Sequence, residues 1–525
     1  MLAYLLNSRT NVIFIIPFIL GALTVFSFQP FNFTFINFLI IPLIFFLTLY
    51  VKKKSKNIYR KKPYLLNLFL LGYIFGIGYF LTGTYWISNS LSFDDNLKFL
   101  IPFTIILLPI FLGLFFGLAT LLVGPFIRND FTSILIFSSS FGTIDFLRGK
   151  LLSGFPWNLW VYSWSWSLET IQSLKFIGLY AGNLICVAFF CLPALFFFKK
   201  QKKNFILGTI FILIFFMNYI FGSISINKNN EIINNYNYYK NNFISVKIVS
   251  PSFDLKYNLT NTDTEELLVK LIKFSEPVKS KSTIFVWPEG VFTGSNFKEL
   301  KKYKSLFKSS FSKNHLIIFG VNTEKEENLS MKTFNSLIVT NNNLDIIYQY
   351  DKQKLVPFGE FLPMENVLKK LGLKKVTEGY GAFSKGSKQP LLNIEGFKIQ
   401  PLICYEIIFP NLSEQHNYKN LIINISEDAW FGDSIGPQQH FAKAIFRAVE
   451  NNVFLIRSAN KGISAFIDNK GVIRKSLSPS ETGSIELDIP IISNSSKKIK
   501  KDLIFFILLF TYVLIFVSLK NKIND

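Results

Sequence analysis

Long apolar runs fill the first 222 residues and recur once near the end, whereas the chain between them carries short β-branched runs separated by polar or helical segments. A helix crosses about 30 Å of hydrocarbon with roughly 20 residues at ~1.5 Å each. Eight stretches approach that length, at 11–27, 31–50, 64–86, 99–126, 131–147, 171–198, 204–222 and 503–519. The fifth is the most polar, with Ser138, Ser139, Ser140 and Asp145, and suits a helix buried among others or re-entering the bilayer. No small-residue cleavage site follows the first run, so it is expected to stay as a span.

After residue 222 the texture changes. Residues 223–240 are rich in Asn, Lys and Tyr and read as a linker. Strand-like runs then appear at Val246–Val249, Ile284–Trp287, Leu316–Gly320, Ser336–Thr340, Ile399–Cys404, Leu421–Ile425 and Val453–Ile456. Asp263–Glu276 and Pro437–Asn451 read as helices, the second with proline in its first turn. The alternation predicts a layered α/β domain over 241–490, a second linker at 491–502 and a last span at 503–519. No internal repeat is visible.

Composition agrees with this division. Half of the 525 residues are hydrophobic and the mean hydropathy is +0.33, beyond what a single soluble core carries. The net charge of +22 is concentrated partly in runs such as Lys52-Lys53-Lys54 and Lys199-Lys200 at the ends of apolar stretches, where it orients a membrane protein rather than binding nucleic acid. Those runs place the loops at 51–63 and 199–203 in the cytoplasm. Alternation then puts 87–98, 148–170 and all of 223–502 on the opposite, extracytoplasmic face. Lys497, Lys498, Lys500 and Lys501 run against that orientation, although long translocated domains are largely exempt from the rule. Of three cysteines, Cys186 and Cys191 lie in an apolar run and Cys404 stands alone, which excludes a disulfide framework. His315, His416 and His440 are scattered, with no zinc-site spacing, and no metal or cofactor is called for.

Chemistry enters at the ends of the strand-like runs. Cys404 closes Ile399-Gln400-Pro401-Leu402-Ile403, and Tyr405-Glu406 follow, so a nucleophile stands where a strand stops. A lone cysteine there is most often a small core residue. A thiol attacks acyl carbon only as thiolate, and no histidine adjoins it. Glu289, in Trp287-Pro288-Glu289-Gly290, ends another buried strand, and a carboxylate in such apolar surroundings suits a general base. Lys352, in Tyr350-Asp351-Lys352, can hold a thiolate charged and donate to an oxyanion. Each is unremarkable alone, and their combination carries the signal.

These three segments, with Pro357-Phe358-Gly359-Glu360 after the lysine, resemble in order and spacing the three signatures of the nitrilase superfamily. A membrane bundle ahead of such a domain and a closing span behind it resemble its membrane-fused branch, the apolipoprotein N-acyltransferases, over essentially the whole chain. Gly154-Phe155-Pro156-Trp157, Asp428-Ala429-Trp430-Phe431-Gly432, the helix with His440, Ala444 and Arg447, and Arg457-Ser458-Ala459-Asn460 support it. Tyr257, Glu427 and Lys461 depart from the family's usual Trp, Asn and Thr. The resemblance implies a multi-span helical bundle fused to an αββα sandwich. It also implies a Glu289–Lys352–Cys404 triad passing an acyl chain from a phospholipid, through a thioester, to the amine of a diacylglyceryl-cysteine on an apolipoprotein. Glu360 and Glu406 would orient the triad, and the Tyr405 N–H would be a second oxyanion donor. Tyr257, Trp157 and Trp430 would meet substrate, and Phe and Leu in the loops at 148–170 and 355–383 would enter the membrane interface. The rivals are a membrane-anchored amidase, which would release ammonia, and a transporter or scaffold, against which the scarcity of charges in the spans argues.

Overall fold

The computed structural model describes residues 8–58, 63–198, 202–235, 243–256, 259–292, 294–327, 330–363, 383–416, 418–479, 481–491 and 500–520. The chain divides into two compact units, Met1–Asn89 with Phe99–Ile226 and Lys498–Asp525, and Ser90–Lys98 with Asn227–Lys497.

The first unit is helical. Among the described residues six helices are long and apolar enough to cross a membrane: Thr34–Lys54, Tyr64–Phe93, Asp95–Val123, Leu174–Phe197, Lys202–Asn234 and Lys501–Leu519. The other two of the eight expected spans are helices of a different kind. Asn11–Ser27 is apolar but short. Phe131–Lys150 has 20 residues and buries Asp145 and Arg148 on its inner side. Helix Lys202–Asn234 runs through much of the expected linker. Its 33 residues measure about 50 Å, well beyond the hydrocarbon thickness, and its last turns, from Asn227 on, belong to the second unit, within which Asn229 and Asn230 bond Asp468 and Arg474.

Lipid offers no hydrophobic drive between helices, so contact depends on small residues and polar links. Helices Pro63–Thr84 and Ile101–Val123 meet at Gly76 and Gly113, where a Cβ on Gly76 would stand 2.8 Å from the Gly113 Cα. Beside them Thr120 donates to the Leu68 carbonyl at 2.7 Å. The strongest polar link is the Asp145–Arg148 pair, 2.8 Å apart with both side chains 1% exposed. Asn183 donates to the other Asp145 oxygen at 2.9 Å. Arg148 also donates to the carbonyls of Phe155 and Trp157 at 2.6 and 2.8 Å, so a buried cation pins the Gly154–Trp157 loop.

The second unit is a sandwich of two six-stranded sheets. One has the order β12-β1-β2-β3-β4-β5, the other β11-β10-β9-β8-β7-β6. The strands are β1 (Phe243–Ser250), β2 (Thr283–Val286), β3 (His315–Glu327), β4 (Ser330–Thr340), β5 (Ile346–Asp351), β6 (Leu392–Ile394), β7 (Phe397–Ile403), β8 (Leu421–Glu427), β9 (Phe454–Asn460), β10 (Ser464–Ile467), β11 (Ile473–Leu477) and β12 (Gly483–Pro490). The period of two assigns the layers. Ile284, Val286 and Ile318 face the second sheet, where they meet Ile403, Ile423 and Ile456. Phe285, Trp287, Ile317 and Phe319 face outward and are covered by Leu268, Leu271 and Phe307 from helices Asn261–Ser275 and Lys304–Ser310. Helix Gly436–Asn451, nearly all buried, packs on β9. The layers are thus αββα, as expected. Thr260 caps helix Asn261–Ser275, accepting from the Asp263 N–H while Asp263 accepts from the Thr260 N–H.

Arg148→Ala leaves the Asp145 charge buried without its cation, at a cost of about 3–5 kcal/mol. The thermal inactivation midpoint of the detergent-purified protein is expected to fall accordingly, and Asp145→Leu with Arg148→Met to recover most of it. An unchanged midpoint for Arg148→Ala would show that Asp145 does not depend on it.

Candidate active site

β1, β2 and β3 are parallel, and two antiparallel steps return β5 to the same direction. The residues after β2 and β5 therefore emerge at one end of the first sheet. In the second sheet β7, β8 and β9 are parallel, so their ends also lie together. Glu289 follows β2, Lys352 follows β5, and Cys404 follows β7.

Trp287 extends β2 by one bond to the Ile318 carbonyl, at 2.8 Å, before Pro288 ends the ladder. Gly320 on β3 lets Glu289 sit close, since a Cβ there would lie 2.9 Å from the Glu289 Cα. Glu289 is buried, and Lys352 is 2% exposed. The Lys352 Nζ lies 2.9 Å from Glu360 Oε1 and 3.3 Å from Glu289 Oε1. Burial opposes the ammonium charge, but Glu289 and Glu360 outweigh it and hold the Lys352 pKa above the ordinary lysine value. Glu360 is fixed further by the Val356 N–H at 2.9 Å.

Cys404 has φ 47°, a left-handed conformation rare for a side chain larger than glycine, which turns the chain sharply at the strand end. Cys404 is partly exposed. Burial and the charge of Glu289 push its thiol well above the ordinary range, against Lys352 and the nearby Ser426 hydroxyl, so the sulfur rests protonated. Glu406 braces the turn, accepting from the N–H groups of Ile403, Gln353 and Lys354 at 2.8, 2.6 and 3.0 Å and from the Tyr350 hydroxyl at 3.0 Å. It thereby ties the residues after β5 to those after β7. Burial pushes its carboxyl up to about 7, against these hydrogen bonds.

The structure brings Glu289, Lys352, Cys404, Glu360, Tyr405 and Glu406 to these joined strand ends. Trp430 lies in the same unit just after β8, half-buried, with its ring 5.2 Å from that of Phe93. Trp157 belongs to the helical unit, 1% exposed and stacked on Phe155. Tyr257 and residues 364–382 of the expected interfacial loop lie outside the described residues. Among the described residues no cluster suits a metal ion.

Two contributors escaped the sequence. Asn335 donates to Glu289 Oε1 and to Glu360 Oε1, both at 2.8 Å, and so sets the spacing of the carboxylates. It precedes an apolar run on β4 and carries no motif. Glu427, noted only as a departure, is buried as the last residue of β8. Its N–H donates to Glu289 Oε2 at 3.1 Å, and its own carboxyl accepts from Asn460 and from the Ala429 N–H. Burial raises that carboxyl well above the ordinary range.

A two-sheet α/β sandwich with a thiol, an amine and carboxylates at adjoining strand ends is the architecture of a carbon–nitrogen hydrolase, and residues 252–493 match that family, Carbon-nitrogen hydrolase. Residues 20–192 match the Apolipoprotein N-acyltransferase N-terminal domain. The apolipoprotein N-acyltransferase of Rhizobium rhizogenes is 32% identical over 441 residues, covering 80% of this chain and 79% of that protein. That of Rickettsia prowazekii is 32% identical over 484 residues, covering 91% and 92%. An amidase of the nitrilase superfamily from Nesterenkonia matches with 14% identity and a TM-score of 0.34, over 47% of this chain and 91% of that one. The chain belongs to the apolipoprotein N-acyltransferase family.

His440 stands 3.1 Å from Asp428 in this unit, and burial and the Arg457 charge lower its pKa. An unfolded chain takes up a proton near the ordinary value of 6.5 that the folded site refuses, so stability is lost as pH falls below that value. Thermal melts are expected to show a loss of about 1 kcal/mol per pH unit from this group, flattened in His440→Gln. An equally steep decline in the variant would assign it elsewhere.

Proposed function

We propose that this bacterial membrane acyltransferase acylates lipoproteins by a two-step transfer at Cys404, taking its acyl chain from a membrane phospholipid and working on the periplasmic face. What carries the reading is the buried Lys352 ammonium shared by Glu289 and Glu360 beside a resting thiol.

A protonated thiol needs a base. Glu289 takes the sulfur proton as Cys404 attacks the ester carbonyl of the donor. The negative charge moves from Glu289 to sulfur and then to the carbonyl oxygen, and the net charge around Lys352 does not change. Lys352, held charged by its carboxylates, and the N–H of Tyr405 are the oxyanion donors. Collapse breaks the ester bond, and Glu289 returns the proton to the departing lysophospholipid oxygen. In the second step the free α-amine of an N-terminal diacylglyceryl-cysteine attacks the thioester. Glu289 takes the amine proton and gives it to the leaving sulfur, which restores the thiol. Glu360 and Asn335 keep Lys352 and Glu289 in register throughout. Both substrates carry acyl chains, which suits an enzyme fused to membrane helices. An amidase would have no use for them.

Mass spectrometry of the purified protein incubated with phosphatidylethanolamine vesicles is expected to find an acyl adduct on Cys404, absent from Cys404→Ala, which should also lose all N-acylation. Glu289→Gln and Lys352→Ala are expected to slow adduct formation by on the order of a hundredfold or more. Full turnover in Cys404→Ala would end the proposal, and normal rates in either other variant would remove that residue's role.

A further inference from the structure

Behind Cys404 lies a group of buried polar side chains that the transfer chemistry above does not use. Pairing of β7 with β8 aligns Ile403 with Ile425, so Cys404 and Ser426 follow side by side at the same end of the sheet. Ser426 Oγ donates to Asp428 Oδ1 at 2.6 Å, and across the β7–β8 pairing the same hydroxyl is near enough to the Cys404 sulfur to favour its ionised form. Arg457 Nη2 donates to the two Asp428 oxygens at 3.0 and 2.7 Å, and His440 Nδ1 stands 3.1 Å from Oδ1. Arg457 also donates to Asn424 beside it on β8. Ser426, Asp428, Arg457 and His440 are all at most 1% exposed, so water does not compete for these bonds.

A hydroxyl has one proton to give and can accept as well. While Cys404 is a thiol, the Ser426 proton serves the Asp428 carboxylate, and the sulfur's hydrogen can point at Ser426 Oγ. Loss of the sulfur proton to Glu289 creates a second anion next to the same hydroxyl. We propose that Ser426 is a further catalytic residue, turning its O–H from Asp428 to the Cys404 sulfur as the thiolate forms. Arg457 and His440 are positioning residues that keep Asp428 satisfied when the hydroxyl leaves it. No bond to Ser426 breaks in this step, which changes only the acceptor of its proton. The proposal rests on the Glu289–Lys352–Cys404 reading. The charged groups facing the sulfur are Glu289 after β2, Lys352 after β5 and Asp428 after β8, and those facing Asp428 and His440 are Arg457 from β9 and Lys443 from helix Gly436–Asn451.

The test is the pH profile of Cys404 alkylation by iodoacetamide in the full-length protein, with the buried Cys186 and Cys191 replaced by alanine in every variant. Ser426→Ala is expected to move the profile up by about one pH unit, a tenfold slower reaction at a fixed pH below the midpoint. It should also lower kcat for adduct formation by a similar factor with KM for phospholipid unchanged. Ser426→Thr is expected to restore both, and Ser426→Val, which has the shape of threonine without its hydroxyl, to restore neither. Should Ser426→Ala fail to fold, the Thr and Val variants decide. Profiles for Ser426→Ala or Ser426→Val that superimpose on the parent's overturn the proposal. Alkylation needs no acyl donor, so a shifted profile in a protein that forms no acyl adduct would support Ser426's role and count against the acyl-transfer reading alone.

Discussion

A single ammonium group, on Lys352, is buried between Glu289 and Glu360, and the ends of both sheets are arranged around it. An isolated ammonium would not stay charged in such a place, because burial favours the neutral amine. Two carboxylates reverse that preference, and they arrive from different parts of the chain: Glu289 from the end of β2, and Glu360 from the segment after β5. Each needs its own fixation, which Asn335, Val356 and the Glu427 N–H provide. The bond from Glu427 to Glu289 crosses from one sheet to the other, so the electrostatics of the site and the closure of the sandwich are one problem.

The same constraint appears in the helical unit in a different form. Arg148 is fully buried, and its charge is balanced by Asp145 while its Nη1 donates to the loop carbonyls of Phe155 and Trp157. In both units a desolvated cation is tolerated because buried carboxylates pair with it, and in the helical unit it also satisfies irregular backbone. The loops that deliver functional side chains are therefore held by buried charge rather than by apolar packing alone.

Much of this was legible along the chain. Apolar runs of spanning length announced six membrane-length helices, and short β-branched runs announced the strands that lead to Glu289 and Cys404. Motif spacing pointed to the family. The polar texture of Phe131–Lys150 marked it as a helix of another kind, and the structure shows why: its charges are paired inside the unit. The polar residues after 222 were misleading, because they continue helix Lys202–Asn234 in its emergent turns, where an apolar face is no longer required.

The sequence by itself determined which residues end the strands, since local hydrophobicity, proline and glycine act over a few neighbours. Only the tertiary structure decided that those ends meet, because the pairing order of two sheets depends on contacts between residues far apart in the chain. Asn335 and Ser426 show the difference. Neither stands out by type or spacing, and each acquires its role from which buried charge lies within 3 Å of it.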